Sequence, residues 1–112
     1  MDVQQLVTQL ACTELVRGKE WQGAAVESII ASDLMSDVLV IDKEGVVLVT
    51  SLATQQTIRS ADIINALAVI VVNNKGCDKA MVRLAQELNM CLCSVKEDKF
   101  STCIKIGKIL GL

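Results

Sequence analysis

Gly45-Val46-Val47-Leu48-Val49-Thr50 is the stretch on which the fold turns. Its aliphatic side chains are mostly β-branched and favour an extended backbone. Successive side chains of a strand point to opposite faces, so a run without a polar position needs cover on both. Such strands belong to parallel sheets held between two layers of helix. Leu67 to Val72 repeats the pattern, and Asn73-Asn74-Lys75-Gly76 after it reads as a turn.

Working outward, the apolar spacing predicts an alternation of strand and helix. Asp2 to Leu10 places Val3, Leu6, Val7 and Leu10 on one helical face, and Cys12 to Val16 reads as a short strand. Ala24 to Ala31 alternates loosely and reads as a strand, followed by a helical or turn-rich segment over Asp33 to Ile41. Thr54 to Asn65 is predicted helical. Asp78 is a natural N-cap for a helix whose stripe is Met81, Leu84, Ala85 and Leu88, with Asn89 closing it in the left-handed conformation. Met90 to Cys93 is a further short strand. The last helix starts at Ser94, with Glu97 completing a capping box, or later at Asp98. Phe100, Cys103, Ile104, Gly107 and Gly111 form one face of it, and Ile106, Ile109 and Leu110 spill onto another that a second subunit could cover.

This order predicts an α/β fold over residues 1–112 as one domain, three-layered, with a mainly parallel sheet and helices on both faces. Right-handed crossovers bring the carboxyl ends of such strands to one edge, where these folds bind ligands. That edge carries Ser32 and Asp33, Thr50 and Ser51, Asn73 and Asn74, and Ser94. Small polar residues also start turns and helices for local reasons. In Ala31-Ser32-Asp33-Leu34-Met35-Ser36-Asp37 the two readings meet. Ser32 or Asp33 caps a helix with Ser36 and Asp37 in its first turn, or Asp33 with Ser36 or Asp37 binds a hydroxyl, an amide or a Mg²⁺ ion.

Composition narrows the chemistry. The chain has 112 residues, is 52% hydrophobic and has a mean hydropathy of +0.47, so a second copy is expected to cover part of its apolar surface. Its longest apolar run is far short of the roughly 20 residues that span a bilayer. No signal peptide is visible, and a cytoplasmic location without membrane contact is expected. The net charge is -2, the basic residues are scattered, and Trp21 and Phe100 are the only aromatics, which argues against nucleic-acid binding. There is no histidine, which removes the commonest general base and the Ser-His-Asp triad.

The five cysteines form no zinc spacing with a second pair. Cys91 and Cys93 share a strand face, and core packing competes with a thiol redox or metal role that would include Cys103. Gly107-Lys108 looks briefly like a phosphate loop, but Ile109 follows the lysine and Thr102 stands where the first glycine belongs. No cofactor and no metal site is assigned.

Taken together, Ser32 to Leu39 (SDLMSDVL), Gly45 to Ser51 (GVVLVTS), Ala66 to Lys75 (ALAVIVVNNK) and Cys91 to Phe100 (CLCSVKEDKF) resemble the DRTGG domain family, in particular its short stand-alone members. The family's Asp-Leu-Leu-Ser-Asp-Val element is matched by Asp33 to Val38, its strand ending in Thr by Leu48-Val49-Thr50, and its Ser before a Phe-bearing helix by Ser94 and Phe100. The eponymous string is absent, Leu52 replaces a frequent Gln, and Val95 replaces a usual Thr. The resemblance implies a fold similar to the N-terminal domain of HPr kinase. It also implies a regulatory, dimer-forming module without catalysis of its own, whose relatives occur between CBS domains in regulatory pyrophosphatases. On that basis Asp33, Ser36, Asp37, Thr50, Ser51, Asn73 and Ser94 are the expected site. The expected occupant is a small ligand such as an adenine nucleotide, or a partner protein; an interaction module without ligand and a thiol sensor are the alternatives.

Overall fold

A computed structural model describes residues 1–112. The elements are α1 (Val3–Leu10), β1 (Thr13–Val16), β2 (Ser28–Ala31), α2 (Met35–Val38), β3 (Val46–Thr50), α3 (Gln55–Ile63), β4 (Ala68–Val71), α4 (Lys79–Glu87), β5 (Cys91–Ser94) and α5 (Lys99–Leu110). The five strands form one sheet in the order β1-β5-β4-β3-β2. β2, β3, β4 and β5 run parallel, and β1 alone pairs antiparallel, with β5. The fold is a three-layer α/β sandwich with a mainly parallel sheet.

The apolar run over β3 does what its pattern predicts. All five residues are buried, Val47 and Val49 towards one core, Val46 and Leu48 towards the other. α1 and α5 cover the first face through Val3, Leu6, Val7, Leu10 and Ile106. α2, α3 and α4 cover the second through Met35, Val38, Ile58, Ala61, Met81 and Ala85. Two separate apolar layers explain the high mean hydropathy, because each sheet face needs its own cover.

Local signals are kept at several helix ends. Asp2 caps α1 in a capping box with Gln5, and Asp78 caps α4 by accepting from the Met81 amide at 2.8 Å. Asn89 is left-handed at φ 54°, as the end of that helix requires.

Two expectations are corrected, and one choice left open is decided. Ala24 to Ala31 is a strand only from Ser28, because its partner β3 begins at Val46. Gly45 turns the chain just before it at φ +63°, where a Cβ would lie 2.6 Å from the Ala25 carbonyl. The Val26 amide instead donates to the Met1 carbonyl at 2.8 Å. Of the two starts open to the last helix, the chain uses Asp98, whose carboxylate accepts from the Ser101 amide at 2.7 Å, and Ser94 stays in β5. Its core-facing side is also reversed. Ile106 is buried, with Ile109 and Leu110 packed against the same core, whereas Phe100 is 74% exposed. α1 packs beside α5, so its position decides which side of α5 is covered.

Candidate functional site

The carboxyl ends of β2 and β3 stand side by side, since Ala31 is in register with Val49. Residues just beyond these strands therefore meet. Asp33 reaches across this gap. Its Oδ1 accepts from the Thr50 hydroxyl at 2.9 Å and from the Ser51 amide at 2.7 Å. Its Oδ2 accepts from the Ser51 hydroxyl and from Lys99 Nζ, both at 2.7 Å. One carboxylate thus ties together the ends of two strands and the first residue of α5.

Each partner is held in place by its own element. Thr50 is fully buried, and its hydroxyl oxygen also accepts from the Leu52 amide at 3.1 Å. Lys99 is positioned by the loop before α5. There the left-handed Asn73 and Asn74 donate backbone amides to the carbonyls of Glu97 (2.7 Å) and Val95 (3.0 Å). Asparagine tolerates this conformation better than most residues, which accounts for the pair. Asp98 then starts the helix and leaves Lys99 at the sheet edge.

Burial acts to raise the Asp33 pKa, but it is outweighed. Lys99, the Ser51 amide, the Ser51 hydroxyl and the Thr50 hydroxyl together hold the carboxyl well below the usual carboxylate range. The ion pair remains in touch with water, with side-chain exposures of 44% for Asp33 and 32% for Lys99.

Neither simple reading of the Ser-Asp string describes this geometry. Asp33 caps nothing: the N-cap position of α2 is Leu34, which makes no side-chain cap, and Ser32 Oγ accepts from the Leu34 amide at 3.2 Å. α2 is a single turn that buries Met35 and Val38, leaving Ser36 and Asp37 exposed and without side-chain hydrogen bonds. Of the seven residues named from the sequence, the structure joins Asp33, Thr50 and Ser51. Asn73 contributes its backbone conformation. Ser94, half-buried, lies two strands from Thr50 through the pairings Thr50–Val71–Ser94, roughly 10 Å away at ordinary strand spacing. Lys99 was not anticipated. The signal for it was the Asp98 start, which places the next residue at the carboxyl edge.

None of the main surface hollows is lined by Asp33, Thr50, Ser51 or Lys99. The largest surface hollow, about 410 Å³, lies at the opposite edge of the sheet against Ile41 to Gly45 and Ile63 to Asn65. Two exposed apolar residues flank the ion pair in sequence, Leu34 at 58% and Phe100 at 74%.

Four of the five thiols belong to the first core, and Cys77 packs against the second. Cys91 and Cys93 are buried in the first, and Cys12 and Cys103 pack against it. Burial pushes the thiols of Cys12 and Cys91 up to about 11 and that of Cys93 higher still. A thiol is reactive as its thiolate, so this environment suppresses nucleophilic and redox chemistry near neutral pH.

No protein-family model and no curated protein matches this chain. A solved structure does, at the level of fold. It is the crystal structure of the CBS and DRTGG domains of the regulatory region of Clostridium perfringens pyrophosphatase, complexed with its activator, diadenosine tetraphosphate. The TM-score is 0.71 at 12% sequence identity, over 94% of this chain and 45% of that one. The two share a fold. This chain spans less than half the length of its neighbour's chain, and the activator belongs to the whole of that region. No helix here is long and apolar enough to cross a membrane.

Proposed function

We propose that residues 1–112 form one non-catalytic regulatory domain of DRTGG type, with the HPr-kinase-like topology that its sequence motifs imply. In this reading the strand-end edge around Asp33 receives a small ligand, with a nucleotide as the leading class. The observation that carries it is the convergence of four donors on one carboxylate at the carboxyl edge of a parallel sheet. Such edges gather ligand-binding groups because strand ends and helix starts meet there. The fold shared with a nucleotide-complexed regulatory region supports the ligand class. Regulation rather than catalysis is supported by the state of Asp33. Its lone pairs are engaged and its pKa is depressed, whereas a general base works best with a pKa near the working pH. Five unpaired cysteines suit the reducing cytoplasm.

Thermal-shift titration with AMP, ATP and diadenosine tetraphosphate tests this. A native-state ligand at a hundredfold excess over Kd stabilises by about 2.7 kcal/mol. The expected result is a rise in Tm with at least one nucleotide that is lost in Lys99→Ala and retained in Asp37→Ala. A flat response to all three rejects nucleotides as the ligand class.

A second reading is favoured by Leu34 and Phe100, whose exposed side chains beside the ion pair suit a protein surface. There the Asp33 node stiffens an interface, and the partner is a second copy or another protein. This reading expects a concentration-dependent dimer that Phe100→Ser weakens, measured by sedimentation.

A further inference from the structure

We infer that Asp33 is a built-in stand-in for a phosphoryl group, occupying an oxyanion site from which a phosphoryl ligand displaces it. The inference rests on the strand-end edge being the ligand site, and adds the ligand group recognised there and the manner of its entry.

A carboxylate offers about four lone-pair positions on two oxygens. At Asp33 four donors take them: the Thr50 hydroxyl, the Ser51 amide, the Ser51 hydroxyl and Lys99 Nζ. Three of these belong to Thr50, the fully buried last residue of β3, and to Ser51, which follows it directly. The sheet therefore fixes Thr50 independently of the carboxylate, and the chain leaving β3 keeps Ser51 beside it. An amide, two hydroxyls and an ammonium are also the donor types that hold phosphate oxygens.

The occupant is less firmly built in than the donors. Asp33 lies in the connection of residues 32–34 between β2 and α2, and α2 is one turn long. With 44% of its side chain exposed, an anion from solvent can reach the same donors.

The occupant's charge decides which ligand class can compete. A free monocarboxylate has the same charge as Asp33 and lacks its tether, so it gains nothing by exchange. A phosphomonoester carries a charge of about -1.5 to -2 and three strong acceptor oxygens, and offers Lys99 a stronger partner. Exchange would release the Asp33 side chain beside exposed Leu34. Phosphoryl binding would then alter the surface next to Phe100, giving the site a readout.

The test is isothermal titration of inorganic phosphate into wild type, Asp33→Ala, and Asp33→Ala with Lys99→Ala, at matched ionic strength, with circular dichroism confirming the fold of each. Like charges placed together cost several kcal/mol, so removing the carboxylate is expected to tighten phosphate binding by at least about tenfold. The double variant is expected to lose that gain. A folded Asp33→Ala that binds phosphate no better than wild type overturns the inference, as does a double variant that binds as well as the single one. If Asp33→Ala does not fold, Asp33→Asn replaces it, keeping the shape while removing the charge, and the same comparisons decide. A wild-type response to nucleotides alongside an unchanged Asp33→Ala would sink the stand-in role and leave the ligand site standing. Phosphate gained by the variant with a flat nucleotide screen would uphold the oxyanion site and reject nucleotides as its ligands.

Discussion

Replacing Asp33 with alanine removes the acceptor of four hydrogen bonds at once, and the cost can be worked from where the donors sit. The Thr50 hydroxyl is buried and has no other acceptor, which costs about 1–3 kcal/mol for an unsatisfied group. The Ser51 amide and hydroxyl are near enough to the surface to turn to water, so each contributes roughly 0.5 kcal/mol. The ion pair with Lys99 is screened at these exposures and adds about 0–1 kcal/mol. The sum is about 2–5 kcal/mol, a fall in Tm of roughly 10–20 °C for a chain of this size. Asp37→Ala removes a side chain with no hydrogen bond and should stay within about 0.5 kcal/mol. Urea titration followed through Trp21, the sole tryptophan and a buried one, measures both.

The acid dependence sharpens this comparison. The folded-state pKa of Asp33 is depressed, so its contribution is complete above the unfolded value of about 3.9 and is lost as pH falls through the lower folded value. The gap between wild type and Asp33→Asn should therefore be constant from pH 8 to 5 and close progressively below about pH 4. Equal and small losses for Asp33→Ala and Asp37→Ala, or a gap that widens in acid, would refute the reasoning.

Other expectations follow from particular contacts. Gly18→Ala would place a Cβ 2.4 Å from the Cys91 amide nitrogen at φ +72°, and should cost about 2 kcal/mol or more in urea titration, while Gly76→Ala, with open space around it, should be near neutral. Asp78→Ala deletes the cap on the Met81 amide and should cost about 1 kcal/mol by the same assay. Cys91 and Cys93 should resist thiol labelling at pH 8 until the protein is unfolded, read by mass spectrometry of the labelled peptides; labelling at the unfolded rate would revive a redox role.

Elements whose signals are local are legible in the residues alone. Val46 to Thr50 and Ala68 to Val71 carry apolar residues for both sheet faces, α1 carries its stripe, and Asp78 and Asn89 bound α4. Those patterns depend on neighbours within a turn or a strand, so a helical or pleated period reveals them. The α/β class followed from their alternation, and with it the edge where Asp33, Thr50 and Ser51 meet.

Features that depend on distant partners emerge only once the chain is folded. β1 turns antiparallel because it borders β5, with Thr13 opposite Ser94. The buried side of α5 was set by α1 and the sheet beneath it, since apolar residues occur around much of that helix. Asp33 had a local choice and a distant one. A cap would have satisfied one or two amides nearby. Thr50 and Ser51, 17 and 18 positions away, and Lys99, 66 positions away, offered four donors including a charge, and that choice prevailed.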